Sequence, residues 1–244
     1  VAATKMRKAQ QAVLGTREYA SRAQAVLTAV SAEAAPEDIQ NQPLLAKRPV
    51  KKTAVVVLGS DRGLCGALNS NVQRDVLKRY GSDVTFVAIG RMHEQGFRRL
   101  PLTATFEGLA DLSEYQEILP VAEVIIDEFT SGRVDRVVLA YPEFVSTLVN
   151  RPRIETLLPA ELPDDAPAPS ADRAQTLYEP SPEAVLESLL PRLIEIRLYQ
   201  ALLETKASEH SARMMAMRNA SNNAGDLLDE LQFSYNQARQ AAIT

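Results

Sequence analysis

Residues 181–244 read SPEAVLESLLPRLIEIRLYQALLETKASEHSARMMAMRNASNNAGDLLDELQFSYNQARQAAIT, and the rhythm of that stretch decides the fold. From Leu193 through Ile196, Gln200, Leu203, Ala207, His210, Met214, Met217, Ser221, Ala224, Leu228, Leu231, Tyr235 and Ala238 to Ala242, the steps alternate between three and four, the seam of a coiled coil. Ser181-Pro182-Glu183 opens the helix with a capping hydroxyl, a proline at the first helical position and an acid in the first turn. No proline follows Pro191. Such a helix spans about 95 Å, more than a compact domain of this size requires, so much of it must project outward.

A helix with a seam needs a partner, and the other end of the chain supplies one. From Val1 to about Ala35 the sequence holds no proline and one glycine, and Ala35-Pro36 ends the run. Met6, Ala9, Val13, Thr16, Ala20, Ala23, Leu27 and Val30 follow the same three-four steps. The two terminal helices are therefore expected to form an antiparallel pair, slender because its seam favours Ala, Ser and Met over Leu. Between them the period changes. Thr53 to Gly59 (TAVVVLG), Asp83 to Gly90 (DVTFVAIG) and Arg136 to Tyr141 (RVVLAY) are short β-branched runs, alternating with helical segments near Ala67 to Tyr80 and Tyr115 to Thr130. That alternation predicts a parallel α/β sheet. Residues 159–172 (PAELPDDAPAPSAD) have the composition of an exposed mobile loop. The expected organisation is a coiled coil of 1–35 and 181–244 with an α/β domain at 36–180.

Composition narrows the function. With 45% hydrophobic and 24% charged residues, the chain can bury a core and is not disordered as a whole. No run approaches the eighteen consecutive apolar residues of a membrane span. A lone cysteine, Cys65, forms no internal disulfide and fits a reducing compartment. His93 and His210 lie far apart with no ligand neighbour at metal spacing, so no metal is expected. A net charge of -4 argues against general nucleic-acid binding. The first helix nonetheless carries Lys5, Arg7, Lys8, Arg17 and Arg22 against Glu18 and Glu33, a basic segment suited to an acidic protein surface.

Two motifs invite an enzymatic reading. Gly59-Ser60-Asp61-Arg62-Gly63-Leu64-Cys65-Gly66 is a Gly-rich turn between a strand and a helix, the place where backbone amides can cradle phosphate. It has neither Gly-x-Gly-x-x-Gly spacing nor a Gly-Lys-Ser/Thr ending, so packing or partner contact is the better reading. Ser208-Glu209-His210 holds triad residue types, but consecutive helical residues diverge by about 100° and cannot share a proton. A Rossmann-type enzyme binding a nucleotide at the Gly59 turn leaves the long helices unexplained. A coiled-coil adaptor explains the helices alone.

Four strings resemble one family: VAATKMRKAQ at the start, GSDRGLCGALNSNV after the first strand, LYEPSPEAVLESLLPR before the last helix, and SEHSARMMAMRNASNNAGDLL through YNQARQAAIT. They are similar to the gamma subunits of bacterial F-type ATP synthases. The resemblance implies an antiparallel coiled coil of terminal helices with a Rossmann-like α/β domain between them. It further implies a mechanical role, the central rotor shaft, with no catalytic site and no cofactor of its own. Its implied partners are the alpha and beta subunits, the epsilon subunit and the membrane c-ring, at the cytoplasmic face of the bacterial inner membrane. By the same resemblance Lys5, Arg7, Lys8, Arg62, Arg239, Gln240 and Thr244 face catalytic-subunit loops, and Tyr178 and Glu179 lie near the ring and epsilon. The family pattern extends past Val1 and past Thr244, so the chain reads as trimmed at both ends. With Cys65 alone, it lacks the regulatory cysteine pair of the chloroplast members.

Overall fold

The computed structural model describes residues 2–34, 36–80, 84–108, 114–161 and 178–243. Helix α1 runs Ala2–Glu33 and helix α6 Pro182–Ile243, with α2 at Pro36–Asn41, α3 at Leu68–Tyr80, α4 at Arg91–Phe97 and α5 at Leu119–Thr130 between them. Five strands, β1 Thr53–Leu58, β2 Thr85–Ile89, β3 Leu102–Phe106, β4 Arg136–Phe144 and β5 Asn150–Leu158, form one sheet in the order β3-β2-β1-β4-β5. The first four are parallel, and β5 returns antiparallel along β4.

The three expected strands are β1, β2 and β4. The two edge strands were not among those expected. β3 is five residues long with every second residue exposed, and β5 (NRPRIETLL) carries charges and Pro152, which an edge strand tolerates because one side of its ladder is unused. Residues 162–172 of the Pro- and Asp-rich stretch lie outside the described residues.

The sheet is covered on both faces, and β1 shows how. Val56 and Leu58 point with Val87, Ile89, Val137 and Leu139 into a cluster shared with Ile125 and Phe129 of α5 and Leu186, Leu190 and Leu198 of α6. Val55 and Val57 point the other way, with Phe86 and Ala140, against Val72 and Val76 of α3 and Phe97 of α4. Alternate residues of one strand thus face different helices, as the period of two requires. All six side chains from Val55 to Leu58, Phe86 and Val87 are buried, the expected state of central parallel strands.

The α1 and α6 seams meet antiparallel. Leu27 and Val30, near the end of α1, join the cluster that holds Leu186 and Leu190 at the start of α6. Ala9 and Val13, near the beginning of α1, pack with Leu203 and Ala207 and with Phe144 of β4. Ser181 Oγ accepts a hydrogen bond from the Ala184 amide at 3.2 Å, the N-cap the sequence signalled. The pairing does not continue to the end of the rhythm. From Met217 to Ile243 every residue of α6 is exposed, Leu228, Leu231 and Tyr235 among them. Within residues 1–244 the 32 residues of α1, about 48 Å, lie opposite only the first part of the 62 residues of α6, about 93 Å.

Two leucines on the same seam should therefore behave differently. Leu27→Ala, which empties a buried position, is expected to cost about 2–5 kcal/mol, and Leu228→Ala, on the exposed stretch, less than about 0.5 kcal/mol. Denaturant midpoints of the isolated chain measure both, and comparable losses would contradict the limited pairing.

Candidate functional site

The Gly59–Gly66 turn leaves the carboxyl end of β1 at the point where the order of the sheet reverses, between β2 and β4. In an open α/β sheet this is the crevice where ligands bind. Here α6 lies across it. The Ser208 hydroxyl donates to Pro142 O of β4 at 3.0 Å, and the Ser211 hydroxyl donates to Thr147 O just beyond β4. On the side of the turn, Lys206 Nζ is 3.8 Å from Asp61 Oδ2, and the Arg213 guanidinium donates to Arg62 O at 3.1 Å and Gly63 O at 3.2 Å. The turn thus presents carbonyl oxygens to a cation, the opposite polarity to an amide cradle for phosphate.

Close approach of β1 and β2 explains the glycines. A Cβ on Gly59 would sit 2.2 Å from His93 Cδ2, and Gly90, at φ 97°, lies against Gly59 O. Behind the turn, Ser60 and Asn69 exchange hydrogen bonds. The Ser60 amide donates to Asn69 Oδ1 at 3.1 Å, and Asn69 Nδ2 donates to Ser60 Oγ at 2.8 Å. Asn69 Nδ2 also reaches Cys65 Sγ at 3.4 Å, which accounts for the buried thiol as part of the turn's packing.

The segment of α6 in the crevice is unusual in being buried together with its charges. Residues 201–211 are all buried, among them Glu204, Lys206 and Glu209. Glu204 Oε1 accepts from Arg17 Nε of α1 at 3.0 Å and from Gln200 Nε2 at 3.3 Å, and Arg17 also donates to Phe144 O at 2.9 Å. Glu209 lies 2.8 Å from Arg213 and 3.6 Å from Lys206. Pairing offsets the desolvation of these charges, so removing one partner should cost far more than the pair contributes. Ser208 and Glu209 point to different neighbours, Pro142 O and Arg213, so the Ser-Glu-His string makes no triad.

The residues expected to meet partners lie elsewhere. Lys5 belongs to α1, and Arg7 and Lys8 are exposed near its beginning. Arg62 is exposed at the tip of the turn, beside Leu64, whose φ of 63° and 72% exposure set an apolar side chain out from a left-handed position. Tyr178 is half-buried against the main core, while its neighbour Glu179 is exposed. Arg239 and Gln240 are exposed near the end of α6, about 40 Å along the helix from Arg213. Thr244 lies outside the described residues. Arg17, Asp61, Glu204 and Lys206, which tie the helices to the sheet, were not among the expected contacts. For Arg17, Glu204 and Lys206 the signal in the sequence was charge on or beside an otherwise small and apolar seam, and for Asp61 its place in the Gly59–Gly66 turn.

Comparison with known proteins gives the same picture. A family model described as ATP synthase matches residues 1–244. The chain is 42% identical to the ATP synthase gamma chain of Pelotomaculum thermopropionicum over 249 residues, covering all of this chain and 86% of that one. It is 43% identical to the gamma chain of Chloroflexus aurantiacus over 252 residues, with the same coverage. Among solved structures it resembles the central stalk and c-ring of Tetrahymena thermophila mitochondrial ATP synthase, with a TM-score of 0.67 and 23% identity over 91% of this chain and 96% of that one. The rotor of the Euglena gracilis mitochondrial enzyme gives 0.61 and 17% over 99% of this chain and all of that one. These two likenesses concern the fold.

His93 offers a test of the packing beneath the turn. Its Nε2–H donates to Leu58 O at 3.0 Å, leaving Nδ1 to accept from Gln73 Nε2 at 3.1 Å, and burial lowers its pKa from 6.5 to about 4. As pH falls, the unfolded chain takes up this proton first. The stabilisation from the neutral ring is therefore complete above pH 6.5 and lost between there and pH 4, a total of roughly 3 kcal/mol. Unfolding curves from pH 7 to 4 should fall more steeply for the parent than for His93→Gln. Parallel curves would mean that His93 does not titrate with folding.

Proposed function

The chain belongs to the gamma-chain family of ATP synthases, and from that premise we propose that it is the central rotor shaft of an F-type enzyme, coupling ion-driven ring rotation to ATP synthesis or hydrolysis in the alpha/beta hexamer. The observation that carries the proposal is the exposed end of α6. A single helix extends about 40 Å beyond its last packed turn with Leu227, Leu228, Leu231, Phe233 and Tyr235 all more than half exposed. An apolar surface of that extent marks a contact with further protein, and in the rotor reading the surrounding ring of subunits supplies part of that contact. Small differences in what each face of such a helix touches then bias the ring's states one after another, which is the only way a shaft can pass free energy to them.

In this reading the chain has no catalytic site and works in two parts, a shaft of 1–35 with 181–244 and an α/β domain of 36–180. Its partners are the alpha and beta subunits around the shaft, and the epsilon subunit and membrane c-ring at the other end. No described helix is long and apolar enough to cross a membrane, which suits a peripheral subunit at the cytoplasmic face of a bacterial inner membrane. Lys5, Arg7, Lys8, Arg62, Arg239, Gln240 and Thr244 are assigned to the hexamer, and Tyr178 and Glu179 to the ring and epsilon. The cationic character of five of the first seven suits acidic loops, more through steering and register than through raw affinity.

Two experiments test the assignment. Leu228→Asp with Leu231→Asp should abolish co-purification with an alpha/beta hexamer while moving the isolated chain's stability by less than about 0.5 kcal/mol, because both positions are exposed there. Undiminished co-purification would remove the exposed stretch from the interface. Glu179→Lys, at an exposed turn before α6, should weaken ring association or slow coupled turnover at an unchanged melting temperature. Normal coupling in that variant would take Glu179 off the surface that meets the ring.

A further inference from the structure

The contacts on α6 in the crevice fall on two opposite sides of the helix. At about 100° per residue, Glu204, Ser208 and Ser211 lie within an arc of roughly 60°, and Lys206, Glu209 and Arg213 lie within another centred about 180° away. The first arc is held by Arg17 of α1 and by backbone carbonyls at and beyond the end of β4. The second is held by the Gly59–Gly66 turn, through Asp61 and the carbonyls of Arg62 and Gly63. Apolar packing alone resists separation of two helices but yields readily to rotation, since one apolar side chain can replace another in a groove. Directional bonds and buried ion pairs have no such substitutes, and turning the helix by even one residue's angle would bury charges without partners.

We infer that the Gly59–Gly66 turn and the end of β4 together lock α6 against rotation about its own axis within the α/β domain, with Asp61, Lys206 and Arg213 as the positioning residues. The inference rests on the rotor reading: a shaft turned at one end delivers torque to the other only as far as it cannot twist in its seat. The turn itself is anchored for that load. Asp61 Oδ1 accepts from the Arg91 amide at 3.1 Å and the Gly108 amide at 3.4 Å, so the residue that meets Lys206 is tied to the ends of β2 and β3 as well. Ser60 and Asn69 fix the turn's other side to α3. The share of a torsional load that the Lys206–Asp61 pair carries therefore passes into three strands and a helix.

The test has an arm in the isolated chain and an arm in the assembled complex. Probes are placed at Glu123, exposed on α5, and Asn222, exposed on α6 beyond the crevice, with buried Cys65 left in place. In the isolated chain, Lys206→Met with Arg213→Gln should broaden the distribution of distances between spin labels at these two sites. A distribution identical to the parent's overturns the lock. In the complex with the hexamer, a filament attached through the Glu123 site should still turn at the parent's unloaded hydrolysis rate but stall under a smaller load. An unchanged stalling load overturns the torque role even where the distances have broadened. Failure of the parent chain to turn in the hexamer would count against the rotor reading instead, while the distance measurement would still decide the lock. Lys206 is buried and its loss endangers folding, so Arg213→Gln, at a partly exposed side chain, carries both arms alone if the double variant unfolds.

Discussion

One helix passing across the carboxyl edge of the sheet sets the rest of the structure. Residues 201–211 of α6 fill the crevice that a doubly wound sheet leaves where its strand order reverses. With α6 across that place, the Gly-rich turn after β1 directs the Arg62 and Gly63 carbonyls at Arg213 and becomes a wall of the helix's seat. The same passage fixes where α1 must lie. Arg17 reaches both Glu204 of α6 and the Phe144 carbonyl of β4, so one guanidinium sets the height of the coiled coil relative to the sheet. A small shift along the helix axis would break both bonds at once and leave Glu204 buried without its cation, which costs several kcal/mol.

Burying charge is an expensive way to hold a helix, and an apolar seam would hold it more firmly in the simple sense of stability. What ion pairs and hydrogen bonds add is register. Leu193, Ile194 and Leu198 at the base of α6 supply burial, and a leucine seam would tolerate sliding by a turn. The polar contacts from Glu204 to Arg213 allow one position only. The division suits a subunit that must be stable where it meets its own domain and unambiguous in angle where it leaves it.

Much of this was legible in the sequence, and the exceptions have physical causes. Every α1 residue that the three-four rhythm picked out, from Met6 to Val30, is buried or half-buried, because there a partner lies opposite. On α6 the rhythm continued unchanged past Met214, yet Leu228 and Tyr235 are exposed. Periodicity reports that a helix has an apolar face and says nothing of which molecule covers it. β1, β2 and β4 stood out because central parallel strands are apolar on both faces, whereas β3 offers only a five-residue alternation, LTATF, and β5 breaks its pattern with charges and Pro152. Asp61 and Lys206 are 145 positions apart, and no local pattern could have joined them. The residues expected to touch other subunits are mostly exposed, as a contact surface must be before assembly, and exposure alone does not distinguish them from any solvated charge.

The composition of α6 changes where the seat ends, and the change bears on how a shaft behaves. Between Arg218 and Asp226 the helix reads NASNNAG, three asparagines, a serine and Gly225 in seven residues, all exposed. Relative to alanine these substitutions weaken an isolated helix by about 3 kcal/mol, and no tertiary contact in the described residues offsets the loss. Immediately below, Lys206 and Arg213 are tied to the turn. Immediately above, Leu227, Leu228 and Leu231 present an apolar face. A helix built in this way is anchored at its base, poor in intrinsic helical stability just beyond, and sticky toward its end. The short asparagine-rich stretch is thus the boundary between a seat set by buried charges and an apolar stretch that depends on further protein to cover it.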